Sequence, residues 1–246
     1  MRSLLLRLLA SAAVFGLPSM PAHAGSFSIS PIRLDLSSTA RSAALTVRND
    51  EREALVQAEI MLWEQVDGED RLTPTRDLIV SPAVFTLAPK GSQLVRVALR
   101  SAPAVTTRER SFRLILQEVP QSANPEFSGL RIALRLSVPV FVATEGTTGP
   151  TLAWSAAAAG NELVLTAQNS GDTHARIHAF AVAPTVGADA PLVQPVGTYI
   201  LPGQSHSWRL GQNQGDRTSD ASWRRLRLKV TTDDGESEIE LDTTGE

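Results

Sequence analysis

The chain has 246 residues, 23 Lys and Arg against 26 Asp and Glu, a formal charge of −3, and no cysteine. Zero cysteine excludes a disulfide-stapled scaffold, thiol catalysis and thiolate metal sites. Without a basic excess, nucleic acid is excluded as a charge-led partner.

The first segment, MRSLLLRLLASAAVFGLPSMPAHA, has Arg2 and Arg7 at a basic start, an apolar run from Leu4 to Leu17, and the small-residue signal Ala22-His23-Ala24. This reads as a cleavable secretory signal peptide over residues 1–24. The apolar run is short for a membrane span and is interrupted by Ser11 and Pro18, and no later segment is long and apolar enough to insert as a helix. The exported chain then starts at Gly25 with 21 basic and 26 acidic side chains, a formal charge of −5. Export without cysteine fits the bacterial periplasm and requires the fold to stand on its core alone.

Short alternating runs follow: AALTVRN (43–49), LVQAEIMLWEQV (55–66), LIVSPAVFTL (78–87), QLVRVAL (93–99) and SFRLILQEV (111–119). Each is followed by turn-forming residues, as in VDGED, LAPKG and RSAP. Strands of this length and spacing predict a β-sandwich, and helical periodicity is confined to the leader.

The most regular run is LRIALRLSVPVF (130–141), where Leu130, Ile132, Leu134, Leu136, Val138 and Val140 share one face of a two-residue period. Pro139 cannot donate to a ladder, which argues against a central strand. By itself, the run reads most simply as a core strand facing its own sandwich.

ATEGTTGP (143–150) is small and polar and ends in Pro, the composition of a linker. LAWSA, ELVLTAQN, ARIHAFAV, TYILPGQSHSW, WRRLRLKVTTD and SEIELDT come after it and suffice for a second sandwich. The expected organisation is all-β: an immunoglobulin-like domain over 25–143, a linker over 144–150, and a second such domain over 151–246.

Chemistry-bearing motifs are sparse. His174 and His178 have the i, i+4 spacing that chelates on a helix, but ARIHAFAV reads as a strand, which separates them by about 13 Å and argues against a metal site. G-x-S-x-G, H-E-x-x-H and Gly-rich phosphate loops do not occur, and the carboxylates are scattered. The chain is expected to be neither an enzyme nor a cofactor protein.

Several strings resemble the periplasmic chaperones of the chaperone–usher pilus pathway, the PapD-like family. Arg33 in SPIRLDLS and Asn49 in LTVRND keep that family's spacing between a first-strand arginine and the asparagine closing the second strand. LAPKGSQLVRV matches L-x-P-G-x-x-x-x-V-R, except that Lys90 intervenes before Gly91. ERSFRLILQEVP carries Glu109, Phe112, Glu118 and Pro120 of a further family segment, and LRIAL matches a third. LVLTAQNSGDTHARIHAF resembles a turn and strand of the second domain. The strings run in order along the whole exported chain, with SPAVFTLAPKGSQLVRV and SVPVF closest to the cysteine-poor archaic-type members.

The resemblance implies two immunoglobulin-like sandwiches in an L- or boomerang-shaped arrangement, and a donor strand. Leu130, Ile132, Leu134 and Leu136 would enter the groove of a pilus subunit, an incomplete immunoglobulin-like protein, by strand addition. Burying each would contribute roughly 1.5–3 kcal/mol before the costs of association. The capped subunit would pass to an outer-membrane usher. The free chaperone could also cover its own edge by self-association. The resemblance further implies a subunit-carboxylate anchor at Arg33. The family's second anchoring residue, a lysine, aligns with Pro139, so Arg96 is the expected replacement. Arg96 is otherwise expected to form a structural ion pair with Glu109, and the arginine that usually joins that pair aligns with Ala143. The alternative function is an immunoglobulin-like pilus subunit or adhesin, against which stand two apparently complete domains.

Overall fold

The computed structural model describes residues 27–50, 52–101, 107–120, 133–159, 162–186, 191–211 and 221–245. The leader (1–24), Leu130 and Ile132 therefore lie outside the described residues. Among those described, seventeen strands account for almost all regular structure.

In the first half, β1 (Phe27–Ser30), β3 (Ser42–Asn49), β8 (Ser92–Leu99) and β6 (Leu78–Ser81) make one sheet, in the order β1-β3-β8-β6. The facing sheet has the order β2-β10-β9-β4-β5, from β2 (Leu34–Leu36), β10 (Arg135–Val142), β9 (Arg110–Glu118), β4 (Ala54–Val66) and β5 (Glu69–Pro74). β7 (Val84–Leu87) also pairs with β4. Alternation sets the faces: Val56, Ala58 and Ile60 of β4 enter the core, while Gln57 and Glu59 point away. Leu45, Val47, Val95, Val97, Phe112 and Leu114 meet them from the neighbouring strands.

The run LIVSPAVFTL is not one strand. It divides around Pro82 into β6 and β7, which join opposite sheets. Proline removes a ladder donor, and the break lets the chain cross from one layer to the other.

The second half has the strand order β14-β13-β16-β17-β11-β12-β15. Its members are β11 (Leu152–Ala159), β12 (Glu162–Asn169), β13 (Ala175–Pro184), β14 (Leu192–Ile200), β15 (Ser205–Leu210), β16 (Arg225–Thr232) and β17 (Gly235–Gly245). β17 pairs with β16 as far as Asp242 and with β11 from Thr243, so one long strand joins the two layers. Leu165, Ile177, Phe180, Val182, Leu226, Leu228 and Val230 form the separate core between them.

Two buried asparagines close corresponding strands. Asn49 shares its amide hydrogens among the carbonyls of Arg52, Leu87 and Ala88. Asn169 donates to Thr173 O at 2.8 Å and Ile200 O at 3.0 Å, and its Oδ1 accepts from the amides of Thr151 and Gly171. The linker is fastened to the second domain. The Asp172 carboxylate accepts hydrogen bonds from the amides of Thr148 and Gly149, which hold it below the ordinary carboxylate pKa. A Cβ at Gly171 would come within 2.4 Å of Gly149 O, so the close approach requires glycine.

A third apolar cluster joins the halves. Trp63 and Phe141 lie on the outer face of the β10-β9-β4 layer and pack with Leu201, Tyr199 and Leu72. Gln65 braces the junction: its Nε2 donates to Tyr199 O at 2.9 Å and its Oε1 accepts from Leu201 N at 2.9 Å.

Candidate functional site: the half-open edge of β10 and the cleft at its end

β10 is paired along its whole length with β9, from Arg135 opposite Gln117 to Val142 opposite Arg110. On its other side β2 covers it only from Val140 to Val142, in parallel. Among the described residues no strand pairs with Arg135–Pro139 on that side. Glu118 N donates to Leu134 O, so the even-numbered positions exchange bonds with β9. Ala143 N donates to Leu36 O, so the odd-numbered N–H groups point toward β2 and the uncovered edge. Pro139 is therefore the odd position immediately before the β2 ladder begins. Its missing N–H costs nothing there.

Burial is graded along the apolar face of the same strand. Val138, Val140 and Val142 are inside the core, Leu136 packs against its rim, and Leu134 is half-buried at the end of the layer. Thus one strand is core at its C-terminal half and rim at its N-terminal half.

Continuing the β2–β10 register by one residue brings Arg33 level with Pro139, because Leu34 lies opposite Val140. Arg33 follows the crossover from β1 to β2 and faces a cleft of about 440 Å³ between the domains, whose lining includes Glu109, Leu152, His174, Arg176 and Asp233. Its Nε lies 3.1 Å from Asp35 and its Nη1 2.7 Å from Asp233 of the second domain. Burial works against its charge, but the two carboxylates outweigh that and raise its pKa. Burial likewise works against ionised Asp233; hydrogen bonds to His178 and Arg33 prevail and lower its pKa.

On the β9 side, Pro139 faces Arg113. That guanidinium lies 3.6 Å from the centre of the Trp63 ring and 3.6 Å from Asp70, and burial pulls its pKa below the usual arginine value. Tyr199 stands edge-on to Trp63, and burial raises its phenol despite nearby arginines. His174 stacks flat on Phe141 at 3.5 Å, and its Nδ1 lies 2.7 Å from Glu109 Oε1. The cleft is thus lined by the basic Arg33 and Arg176 and by the acidic Glu109, Asp233, Asp234 and Glu236.

Residues 26–147 match the family model described as pili and flagellar-assembly chaperone, PapD N-terminal domain. The chain belongs to the PapD-like pilus chaperones. Its two-domain β-sandwich is also that of solved chaperones. One is the archaic CsuC–CsuE chaperone–tip adhesion subunit pre-assembly complex of Acinetobacter baumannii, with TM-score 0.63, 19% identity, and coverage of 89% of this chain and 99% of that one. Another is DraB of E. coli, with TM-score 0.57, 21% identity, and coverage of 89% and 98%. A third is the Salmonella enterica SafA pilin in complex with the SafB chaperone, with TM-score 0.59, 18% identity, and coverage of 89% and 97%. At these identities the likeness is one of fold. No curated protein sequence matches the chain.

Of the site residues expected for this chaperone, Leu136 is on β10 beside the uncovered edge, Leu134 immediately precedes that strand, and Arg33 is in the cleft. Arg96 is elsewhere. Val95 and Val97 enter the core, so strand alternation turns Arg96 outward on β8, opposite Ala44 and Ser81. It does not line the cleft with Arg33. The expected Arg96–Glu109 ion pair is also absent: Glu109 precedes β9 in the facing sheet and is bonded to His174. The structure thus places Arg96 beside neither Arg33 nor Glu109. His174 and His178 each engage an acid, and no cluster of potential metal ligands occurs among the described residues. Arg113, Arg176 and Asp233 were not singled out from the sequence. Their signal was the alternation of polar residues with Phe112, Leu114, Ile177 and Val230, which marks an outer face without saying what covers it.

Proposed function

We propose that this chain is a periplasmic chaperone that captures pilus subunits by donating β10 to their incomplete sandwiches, and delivers them to an outer-membrane usher. The supporting observation is the half-open edge, where Arg135–Pro139 is paired among the described residues with β9 alone and Arg33 stands at the closed end. An incoming strand would gain main-chain hydrogen bonds along that edge, and its groove would receive Leu134 and Leu136 with Leu130 and Ile132 upstream. Its terminal carboxylate would meet Arg33. The leader with its Ala-His-Ala site supports export, and complexes such as SafA–SafB are precedents for a subunit partner.

The test is capture from a periplasmic extract by the tagged chaperone, with the bound protein identified by mass spectrometry. Wild type should retain an incomplete immunoglobulin-like subunit. Changing Ile132→Asp and Leu134→Asp together should leave a folded, soluble protein that retains none. Undiminished capture by the double variant would refute strand donation.

A further inference from the structure

The turn before β13 and the start of that strand present His174 and Arg176 to the cleft, and His178 follows on the same strand. The outer two each have an acid: Glu109 lies 2.7 Å from His174, and Asp233 lies 2.6 Å from His178. Arg176, between them, has none. Among the described residues it makes no ion pair, and its Nε is buried without a hydrogen-bond partner. Its guanidinium carbon lies 5.2 Å from the centre of the Tyr199 ring on the paired strand β14. An arginine cannot shed its charge, so a half-buried guanidinium lacking an acceptor carries an uncompensated desolvation cost. Arg33 lines the same cleft and already has two carboxylates.

We infer that Arg176 is the second cation of the subunit-carboxylate anchor, acting from the second domain with Arg33 of the first. The inference rests on the capture reading above. A carboxylate has acceptor sites on both oxygens, enough to receive one guanidinium from each wall of the cleft. The Tyr199 ring holds the Arg176 guanidinium by a cation–π contact before the anion arrives, which reduces the ordering needed on binding. The anchor therefore spans both domains, and the proline at the expected lysine position on β10 removes no necessary charge.

The test uses the full exported chaperone and a labelled, short peptide of alternating valine and threonine, with either a free C-terminal carboxylate or a C-terminal amide, followed by fluorescence anisotropy. Wild type should bind the free acid about tenfold or more tightly than the amide, the scale of a charge-assisted hydrogen bond. Arg176→Gln should lose most of that preference. Arg176→Met keeps the stem against Tyr199 and should show the same loss, whereas Arg176→Lys should retain part of the preference. If Arg33→Gln abolishes the preference and both neutral Arg176 variants keep it in full, the inference is wrong and the capture reading stands. If wild type binds neither peptide, or both equally, the capture reading falls and takes the inference with it.

Discussion

Replacing Gln65 with leucine tests whether the two domains are held as one body. The side chain is 8% exposed and is the only described one with hydrogen bonds to both Tyr199 O and Leu201 N, each at 2.9 Å. Leucine fills similar space but strands that carbonyl and that amide beside Trp63 and Leu201, which are 2% and 5% exposed. Each of the two stranded groups costs about 1–3 kcal/mol, and the added apolar burial returns roughly 1 kcal/mol, leaving a net loss of about 1–5 kcal/mol. For a domain pair of this size that corresponds to a fall in Tm of roughly 2–20 °C, if the pair melts as a unit. The assay is urea and thermal unfolding followed by tryptophan fluorescence, since Trp63 reports on the junction and Trp154 and Trp208 report on the second domain. The expected result is an earlier loss of the Trp63 signal and separation of the two transitions. Unchanged midpoints with one coincident transition would refute the reasoning, because they would mean that the amide contributes nothing to coupling.

Asn169→Ala should cost about 3–5 kcal/mol, because it strips two donors and two acceptors of their partner at a fully buried corner; calorimetry of the second domain's transition checks it. Val138→Ala should lower stability by about 1–2 kcal/mol, whereas Leu134→Ala should leave stability nearly unchanged and weaken subunit capture, because the two lie at opposite ends of one burial gradient. Paired melting and capture measurements separate these outcomes. Asp233 has a lowered pKa in the folded chaperone, so its bridge to Arg33 and His178 contributes fully above the ordinary carboxylate value and is lost as pH falls through a lower one. The stability difference between wild type and Asp233→Asn should therefore persist on acidification to about pH 4, the ordinary carboxylate range, and be lost only as pH falls further. A difference that grows on acidification would contradict the bridge.

Strand periodicity made the layers legible, since Val56, Ala58 and Ile60, or Val95 and Val97, face a core wherever their strand is placed. It also hinted at coverage of a second face. Val138 to Val142 is a continuous apolar run, and Phe141 is the off-beat residue that packs on Trp63 and Tyr199. Periodicity could turn Arg96 and Arg113 outward but could not distinguish their surroundings. One outer face meets solvent and the other meets the second domain, and that difference is created by contacts distant in sequence. For the same reason Arg33 could be reached through a resemblance, but Asp233, two hundred residues away, could not. Pro82 lies inside what reads as one alternating run, and only sheet pairing shows that β6 and β7 part into different layers.

In capture by strand donation, Pro139 would also act as a length gauge. Odd-numbered residues of β10 point their N–H groups to the uncovered side, so a strand laid there can accept from Arg135 and Ser137 but finds no donor at 139 and β2 from Val140 onward. The slot is open at one end and stopped at the other. A chain whose carboxylate stops beside Arg33 must run in the same direction as β10, and its register is counted backward from its own last residue. Subunits with unrelated internal sequences would thus be seated in one frame, provided that they end at the same distance from their groove. Adding residues to a subunit's C-terminus would shift every side chain along the groove, whereas substituting residues within it would not.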